Sequence, residues 1–556
     1  MNLKAARVST GDVFEQTTIS FENIPRQSPL FLDFSKDEVC CDSFYPEKKT
    51  PIAEFSAKVL SEYQVDRNEL CDALSEINRS LGAGEKTLEN IKLLVDKDCG
   101  AIVTGQQAGL FSGAAYTIYK ALSAVKLAEE LKLQNIKAVP VFWIAEEDHD
   151  FDEVKSTYTL DKKGKLYKAE NTPSDLIKNS PVGLIKLDQT IEKTLEDLFE
   201  NLPHTEFTGE IKQLLFETYQ TGETFSTAFA KLVSKLFAAY GLIIVTPMNA
   251  RLKKLCAPIF VEAIEKAEQI VGGLLDRNEK LPKENYPLQV FVEKDSFPLF
   301  FQNENGERQS LRRNLENGKV KVYKSKTEFE IAELIETARR APQKLSPNAL
   351  MRSVVQDYLF PTFTYFGGAA EIAYFAQNSV IYEVLNRPVT PIRHRASMTI
   401  VEPKNERTLR KYDLKLADLF DGKDAVQSKI VEHFLNQETA QVFAKVESNI
   451  EAELNLLSAN LTENEPTLAA NLENRKKKIL WHLGALRNKY HRAELLKNEV
   501  VENRLENLFT ALLPHHALQE RTLNAVTFLN LYGTNFIEWI YQAIDSEERK
   551  HQILHL

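Results

Sequence analysis

Three short runs in this chain are apolar at every position: Ala101-Ile-Val103, Ala138-Val-Pro-Val-Phe-Trp-Ile144 and Gly241-Leu-Ile-Ile-Val245. Strands of that kind are covered on both faces, as in parallel sheets flanked by helices. Between the first two runs, Ile118, Leu122, Val125 and Leu131 recur at helical spacing, while Lys120, Lys126, Glu129, Glu130 and Lys132 take the opposite face. The pattern predicts strand, crossover helix and strand over about 45 residues, the length of a βαβ unit. A helix over Phe225–Tyr240 precedes the third run. Further on, a helix around Ala349–Tyr358, a strand Thr362–Phe366, a Gly367-Gly368 break and a helix Ala369–Asn386 repeat the scheme. Upstream, Ile52–Tyr63 and Leu88–Val95 read as helices.

Two segments change period. Residues 155–200 contain TYTLDKKGKLYKAE, alternating around a Lys-Lys-Gly turn; residues 286–325 contain PLQVFVEKD, PLFFQNENGERQ and GKVKVYKSK. Both read as antiparallel insertions into the parallel sheet. Beyond about residue 403, Phe443, Val446, Ile450, Leu454, Leu457 and Leu461 step by three and four, and after Pro466 the step resumes through Leu472, Ile479, Leu486, Tyr490 and Ala493. That is an antiparallel helical hairpin of coiled-coil character over about 435–510, turning at Thr462–Pro466. The last stretch, Leu518–Ile544, is apolar enough to pack back onto the body. The expected fold is therefore α/β: a parallel sheet core with antiparallel insertions over 1–403, and a C-terminal α-helical region with an antiparallel coiled coil over 404–556.

Composition excludes more than it selects. With 556 residues, 43% apolar and 27% charged, the chain has an ordinary globular make-up and is long enough for more than one module. A net charge of −10 disfavours nucleic acid and anionic lipid as partners. No apolar run approaches the ~18 residues that cross a bilayer, so no membrane is expected and a cytoplasmic protein is. Five cysteines with no CxxC pair point to reduced thiols; the adjacent Cys40 and Cys41 leave a redox role open.

Three candidate sites follow. After the first strand comes Thr104-Gly-Gln-Gln-Ala-Gly109, opening a helix. At the carboxyl edge of a parallel sheet, free amides and the helix dipole attract anions. There Gly105, Gly109 and Gly113 allow close backbone approach, and Gln106 and Gln107 add neutral donors and acceptors. The alternative is a helix start whose glycines serve only packing. The sequence is neither GxGxxG nor GxxxxGK[ST], so the dinucleotide and P-loop fingerprints are absent. The second strand ends in Glu146-Glu-Asp-His-Asp150. There His149, with Asp148 or Asp150, reads as a general base; a divalent metal site or a solvated acidic loop are the other readings. Third, Asn348, Arg352 and Gln356 lie four apart on one helix face suited to a carboxylate; an ordinary exposed helix face is the other reading. Past Gly367 and Gly368, the next helix offers Glu371, Tyr374 and Gln377, and Arg393 and Arg395 follow in a Pro-rich turn.

Five stretches, TGQQAGLFSGAAYTIYKALSAVKLA (104–128), VPVFWIAEEDHDFDEV (139–154), SPNALMRSVVQDYLFPT (346–362), GGAAEIAYFAQ (367–377) and LQERTLNAVTFLNLYG (518–533), are similar to the bacillithiol biosynthesis cysteine-adding enzymes, the cysteine ligase family. The resemblance implies a Rossmann-like core akin to class I aminoacyl-tRNA synthetases, connecting-peptide-like insertions, and a coiled coil that makes a homodimer. It also implies the last step of bacillithiol synthesis, joining cysteine to glucosaminyl malate. Amide formation from a carboxylate needs activation, for which ATP is the expected co-substrate; whether a metal takes part stays open. On this reading the Thr104–Gly109 loop cradles an anion, Arg352 or Arg395 clamps malate, and His149 with Asp148 or Asp150 moves the proton. The rival expectations are a metal-dependent hydrolase using the EEDHD loop and a non-enzymatic dimeric coiled-coil scaffold.

Overall fold

The computed structural model describes residues 14–556, which form two compact units. The first holds the described residues through Thr399 together with Glu520–Leu554. Its centre is a five-stranded parallel sheet: β1 (Gly100–Gln106), β2 (Ala138–Ile144), β3 (Ile243–Val245), β4 (Thr362–Gly367) and β5 (Ile392–His394), in the order β5-β4-β1-β2-β3. Thr104 of β1 stands opposite Phe142 on one side and Phe366 on the other. The chain works outward from β1 to β3, then returns to place β4 against the free side of β1. The strand order thus reverses between β1 and β4, and a crevice opens at their carboxyl ends, where open α/β sheets bind ligands. Beneath it, Ile102, Phe363 and Phe366 pack with Ala124, Leu127, Ala128 and Leu131 of the crossover helix.

That helix, Tyr116–Leu133, is not two-faced as its spacing predicts. Every residue from Thr117 to Val125 is buried, Lys120 included. The face expected to be solvated is partly covered by the C-terminal return: Lys126 lies over the Tyr541 ring at 4.9 Å. Residues Glu520–Leu554 belong to this first unit because Leu523, Phe528, Phe536 and Ile540 are buried in it.

The first insertion is a hairpin, Ser156–Leu160 with Leu166–Glu170, closed by Gly164 at positive φ. The second is larger than its alternation announces. Ser296–Gln302, Arg308–Arg313, Val320–Val322 and Glu328–Phe329 form an antiparallel sheet whose other edge is Leu345–Pro347. That edge strand runs straight into the helix Ala349–Leu359, capped by Asn348, which accepts from Met351 N at 2.9 Å. The insertion is thereby tied to the rim of the core sheet.

The second unit, Ile400–Gln519 with the last two residues, is helical. Gln437–Asn464 and Pro466–Leu496 form the antiparallel hairpin, with Glu465 at the turn and Pro466 at the first position of the second helix, where its missing N–H costs nothing. Phe443 packs on Tyr490 at 5.6 Å, Arg487 pairs with Glu447 at 2.8 Å, and Lys476 pairs with Glu451 at 3.1 Å. Among the described residues no helix is long and apolar enough to cross a membrane.

Candidate active site

The acidic loop after β2 is where the separate candidates meet. Asp148 Oδ2 accepts from Gln107 Nε2 at 3.0 Å and from Arg352 Nη2 at 3.3 Å. One carboxylate therefore joins the loop after β1, the loop after β2 and the helix that follows the insertion. Its Oδ1 accepts from the His149 amide at 2.8 Å. Burial alone raises the Asp148 pKa, but the nearby Arg352 and Arg308 charges and the Gln107 bond outweigh it and hold the carboxyl below its usual range.

Arg308 comes from the insertion sheet. It is buried and stacked 3.8 Å over the Phe300 ring, donating from Nε to Ser346 Oγ at 2.9 Å and from Nη2 to Pro347 O at 2.8 Å. Burial lowers its pKa to about 10, so it stays charged at neutral pH. Its Nη1 lies 3.1 Å from His149 Nδ1. A guanidinium only donates, so Nδ1 must accept, and the neutral ring carries its proton on Nε2. Burial first, then the Arg308 charge, lowers the His149 pKa, which keeps the ring neutral. In this geometry the imidazole is set up to donate a hydrogen bond from Nε2, since the lone pair a general base needs is already engaged.

The remaining acids of the loop diverge. Glu146 is buried and accepts from Ser226 Oγ at 2.6 Å and Met248 N at 2.8 Å; burial raises its pKa to about 7 against those two bonds. Glu147 is ion-paired with buried Lys253. Asp150 caps the short helix Phe151–Val154, its Oδ1 accepting from Glu153 N at 3.3 Å, while its charge is still felt by His149. Among the described residues no three His, Cys, Asp or Glu side chains are gathered to hold a metal ion.

A second polar cluster occupies the crevice between β1 and β4. Buried Lys120 donates to Gly105 O at 2.9 Å and Gln106 Oε1 at 3.0 Å and pairs with Glu371. Burial lowers its pKa more than Glu371 restores it. Gln106 Nε2 donates to Tyr116 Oη at 2.9 Å, and Glu371 accepts from Gly368 N and Tyr365 Oη, each at 2.7 Å. Arg395 donates to Glu520 at 2.6 Å and lies over Tyr116, yet its buried Nε has no partner. Exposed Arg521 borders the same cluster, its charge felt by Arg395, Glu371 and Tyr116.

The expected cradle at the helix start is closed. Ala115 N donates to Leu523 O at 2.8 Å, and Asn524 Nδ2 donates to Leu110 O at 3.2 Å, so the C-terminal return packs against the helix start and takes the Ala115 amide. Gly105 serves packing: a Cβ there would sit 2.6 Å from Trp143 O. Gly109 fits against Gly113, 2.9 Å from a Cβ, and Gly367 against Glu371 and Ile392. Thr104 Oγ1 is spent on Phe366 O at 2.8 Å inside the sheet. Gln356 is buried with its Oε1 unpartnered, apart from Arg352 and Asp148 in its bonding. Gln377 clamps the loop before the insertion, bonding Asn278, Gln289 N and both backbone groups of Val290. Tyr374 is packed on Phe375. Asn348, the helix cap, also donates to Phe297 O.

Sequence reasoning missed Lys120, Lys253, Arg308 and Arg521. Lys120 carried a signal, an ammonium one residue after Ile118-Tyr119 in a helix opened by glycines; Arg308, on a strand of alternating polar residues, carried none.

Two family models cover the chain: "Bacillithiol biosynthesis BshC, N-terminal Rossmann-like domain" over residues 15–396 and "Bacillithiol biosynthesis BshC, C-terminal coiled-coil domain" over 398–556. Relatives named "Putative cysteine ligase BshC" are similar over nearly their whole length. That of Koribacter versatilis is 34% identical over 94% of this chain and 97% of the relative. Those of Solibacter usitatus (32%; 97% and 99%) and Bacillus cereus (30%; 89% and 92%) follow the same pattern. A solved Campylobacter jejuni chain described as a "putative arginyl t-RNA synthetase" is similar at 11% identity over 83% of this chain and 98% of that one; its TM-score of 0.22 is too low to bear on the fold.

Proposed function

Because the chain belongs to the bacillithiol biosynthesis BshC family, we propose that it is the ligase that joins cysteine to glucosaminyl malate through an amide bond, with ATP activating the carboxylate. The observation that carries this reading is the meeting of Gln107, Arg352 and Asp148 beside a neutral His149 at the ligand-binding edge of the sheet. The reaction forms a C–N bond between the cysteine carboxyl carbon and the sugar amine. The phosphate or AMP that activates the carboxyl departs with the bond electrons, and the proton lost by the amine goes to that leaving group or to water.

The residues fit anionic substrates. Of the two expected malate clamps, Arg352 takes that role in this reading, and the unpartnered Arg395 Nε, exposed Arg521 and the Gln106–Gln107 turn would take the phosphates. His149 donates from Nε2 to the oxygen that gains charge, and Asp148 fixes the loop that carries it. ATP, when bound, supplies the leaving group. The protein works in the cytoplasm as a homodimer held through its helical hairpin. Support for the dimer comes from the helix Gln437–Asn464, which buries no residue in the single chain.

The test is the purified protein with cysteine, glucosaminyl malate and ATP. A thiol-bearing conjugate with stoichiometric AMP or ADP is expected, the nucleotide identifying adenylate or acyl phosphate. Nucleotide hydrolysis without conjugate would refute the ligase reading.

A further inference from the structure

Beside the acidic loop lies a cavity of about 110 Å³ that none of the roles above uses. Its walls include Glu147, Lys253, Arg308, Met248, Pro181 and Leu184. Glu147, Lys253 and Arg308 are 7%, 3% and 5% exposed, so three charged side chains are held at its inner end. The space holds several waters or one small amino acid, and is well below the ~300 Å³ at which pockets for larger ligands begin.

The charges have capacity to spare. Lys253 donates to Glu147 Oε1 and Leu345 O, leaving one of its three protons. Arg308 has five N–H groups and uses three, on Ser346, His149 and Pro347, leaving two. Glu147 has a hydrogen bond on one carboxylate oxygen only. Among the lining side chains two cations face one anion, and Arg308 also lies 3.9 Å from Asp148 Oδ1; the N–H groups left on Lys253 and Arg308 suit a carboxylate, with Glu147 at hand for an ammonium. The lining also includes Pro181, Leu184, Met248 and Leu345 beside the polar Gln302, Gln343 and Ser346, and the Met248 thioether lies where a Cβ on Gly183 would come within 2.7 Å of Sδ.

We propose that this cavity is the subsite for the zwitterionic amino-acid substrate: its carboxylate between Lys253 and Arg308, its ammonium on Glu147, its short side chain against Met248, Pro181 and Leu184. This deepens the ligase reading and rests on it for naming the amino acid as cysteine. It also gives the Arg308–His149 contact a purpose. The guanidinium that grips the carboxylate orients the imidazole, so the carboxyl carbon to be activated is delivered to the acidic loop.

Calorimetry on the full chain under reducing conditions, with cysteine, cysteamine and 3-mercaptopropionate, tests it directly. Each analogue lacks one charge, leaves a buried partner unpaired and should bind roughly tenfold weaker or worse than cysteine. Either analogue binding as tightly as cysteine, or no binding of cysteine at all, overturns the assignment. Leu184, 43% exposed at the mouth, allows a variant that folds. Leu184→Trp should raise KM for cysteine roughly tenfold and leave KM for the sugar conjugate within about twofold. An unchanged KM for cysteine in a variant that still makes conjugate removes the subsite and leaves the ligase reading standing. If wild type binds cysteine with the expected charge dependence but forms no conjugate, the reaction falls and the subsite stands.

Discussion

At the scale of single residues, the site turns on which nitrogen of His149 holds the proton. The contact from Arg308 consumes the Nδ1 lone pair, so the ring is a donor. This separates two roles that the sequence could not. If Nε2–H stabilises developing negative charge, His149→Ala should lower kcat roughly 10²-fold, whereas His149→Gln, which keeps an N–H, should recover a substantial part of it. If the ring is the base, Gln recovers nothing and the acid limb of the pH profile vanishes in both variants. Steady-state kinetics of the two variants across pH decides. The legibility of the site follows the same line. Asp148, His149 and Arg352 stood out in sequence as charges at a strand end or on a helix face, and the fold brings them together. Gln377 and Thr104 looked alike in sequence, but their polar atoms are committed to backbone partners.

Among elements, the helical hairpin has the least support from its own chain. Across Gln437–Leu496 only Ala469, His491 and Leu495 are buried, while Leu456, Trp481 and Leu486 are 70%, 67% and 56% exposed. Apolar stripes of that length are usually covered by a partner. Replacing Trp481 and Leu486 together by Glu should convert a dimer into monomers in sedimentation velocity while leaving the far-ultraviolet helix signal largely intact. A wild-type chain that sediments as a monomer at micromolar concentration refutes the dimer. The start and the turn of this hairpin were legible because heptad spacing is local information, whereas its second helix ends at Leu496 rather than near 510. The edge strand Leu345–Pro347 was not, since its three residues are defined only by pairing with Leu299–Phe301 of the insertion.

For the molecule as a whole, Glu146 links the site to stability. Its folded-state pKa, raised to about 7 by burial, exceeds the ordinary value of 4.5. Between those values the folded protein holds a proton that the unfolded chain has released. The resulting stability is complete below about pH 4.5 and is lost as pH rises through 7. Its size is on the order of 3 kcal/mol. Subtracting the unfolding free energy of Glu146→Gln from that of wild type at each pH isolates this group. The difference should fall across pH 4.5–7 and level off above. A flat difference would mean that Glu146 is ionised in the folded protein throughout, held by Ser226 and the Met248 amide.

What the sequence determined by itself was periodic or local: the apolar strands at 101, 138 and 241, the helices between them, the insertions, the hairpin and its turn at Pro466. Each depends on neighbours within one or two turns of chain, and residue spacing carries that information. Only the tertiary structure decided that β4 lies against β1, that residues 523–524 cover the helix start, that Lys120 is buried, and that Arg308 reaches His149 from 159 positions away. Such choices rest on which buried charges find partners across the fold, and partners so distant in the chain leave no spacing to read.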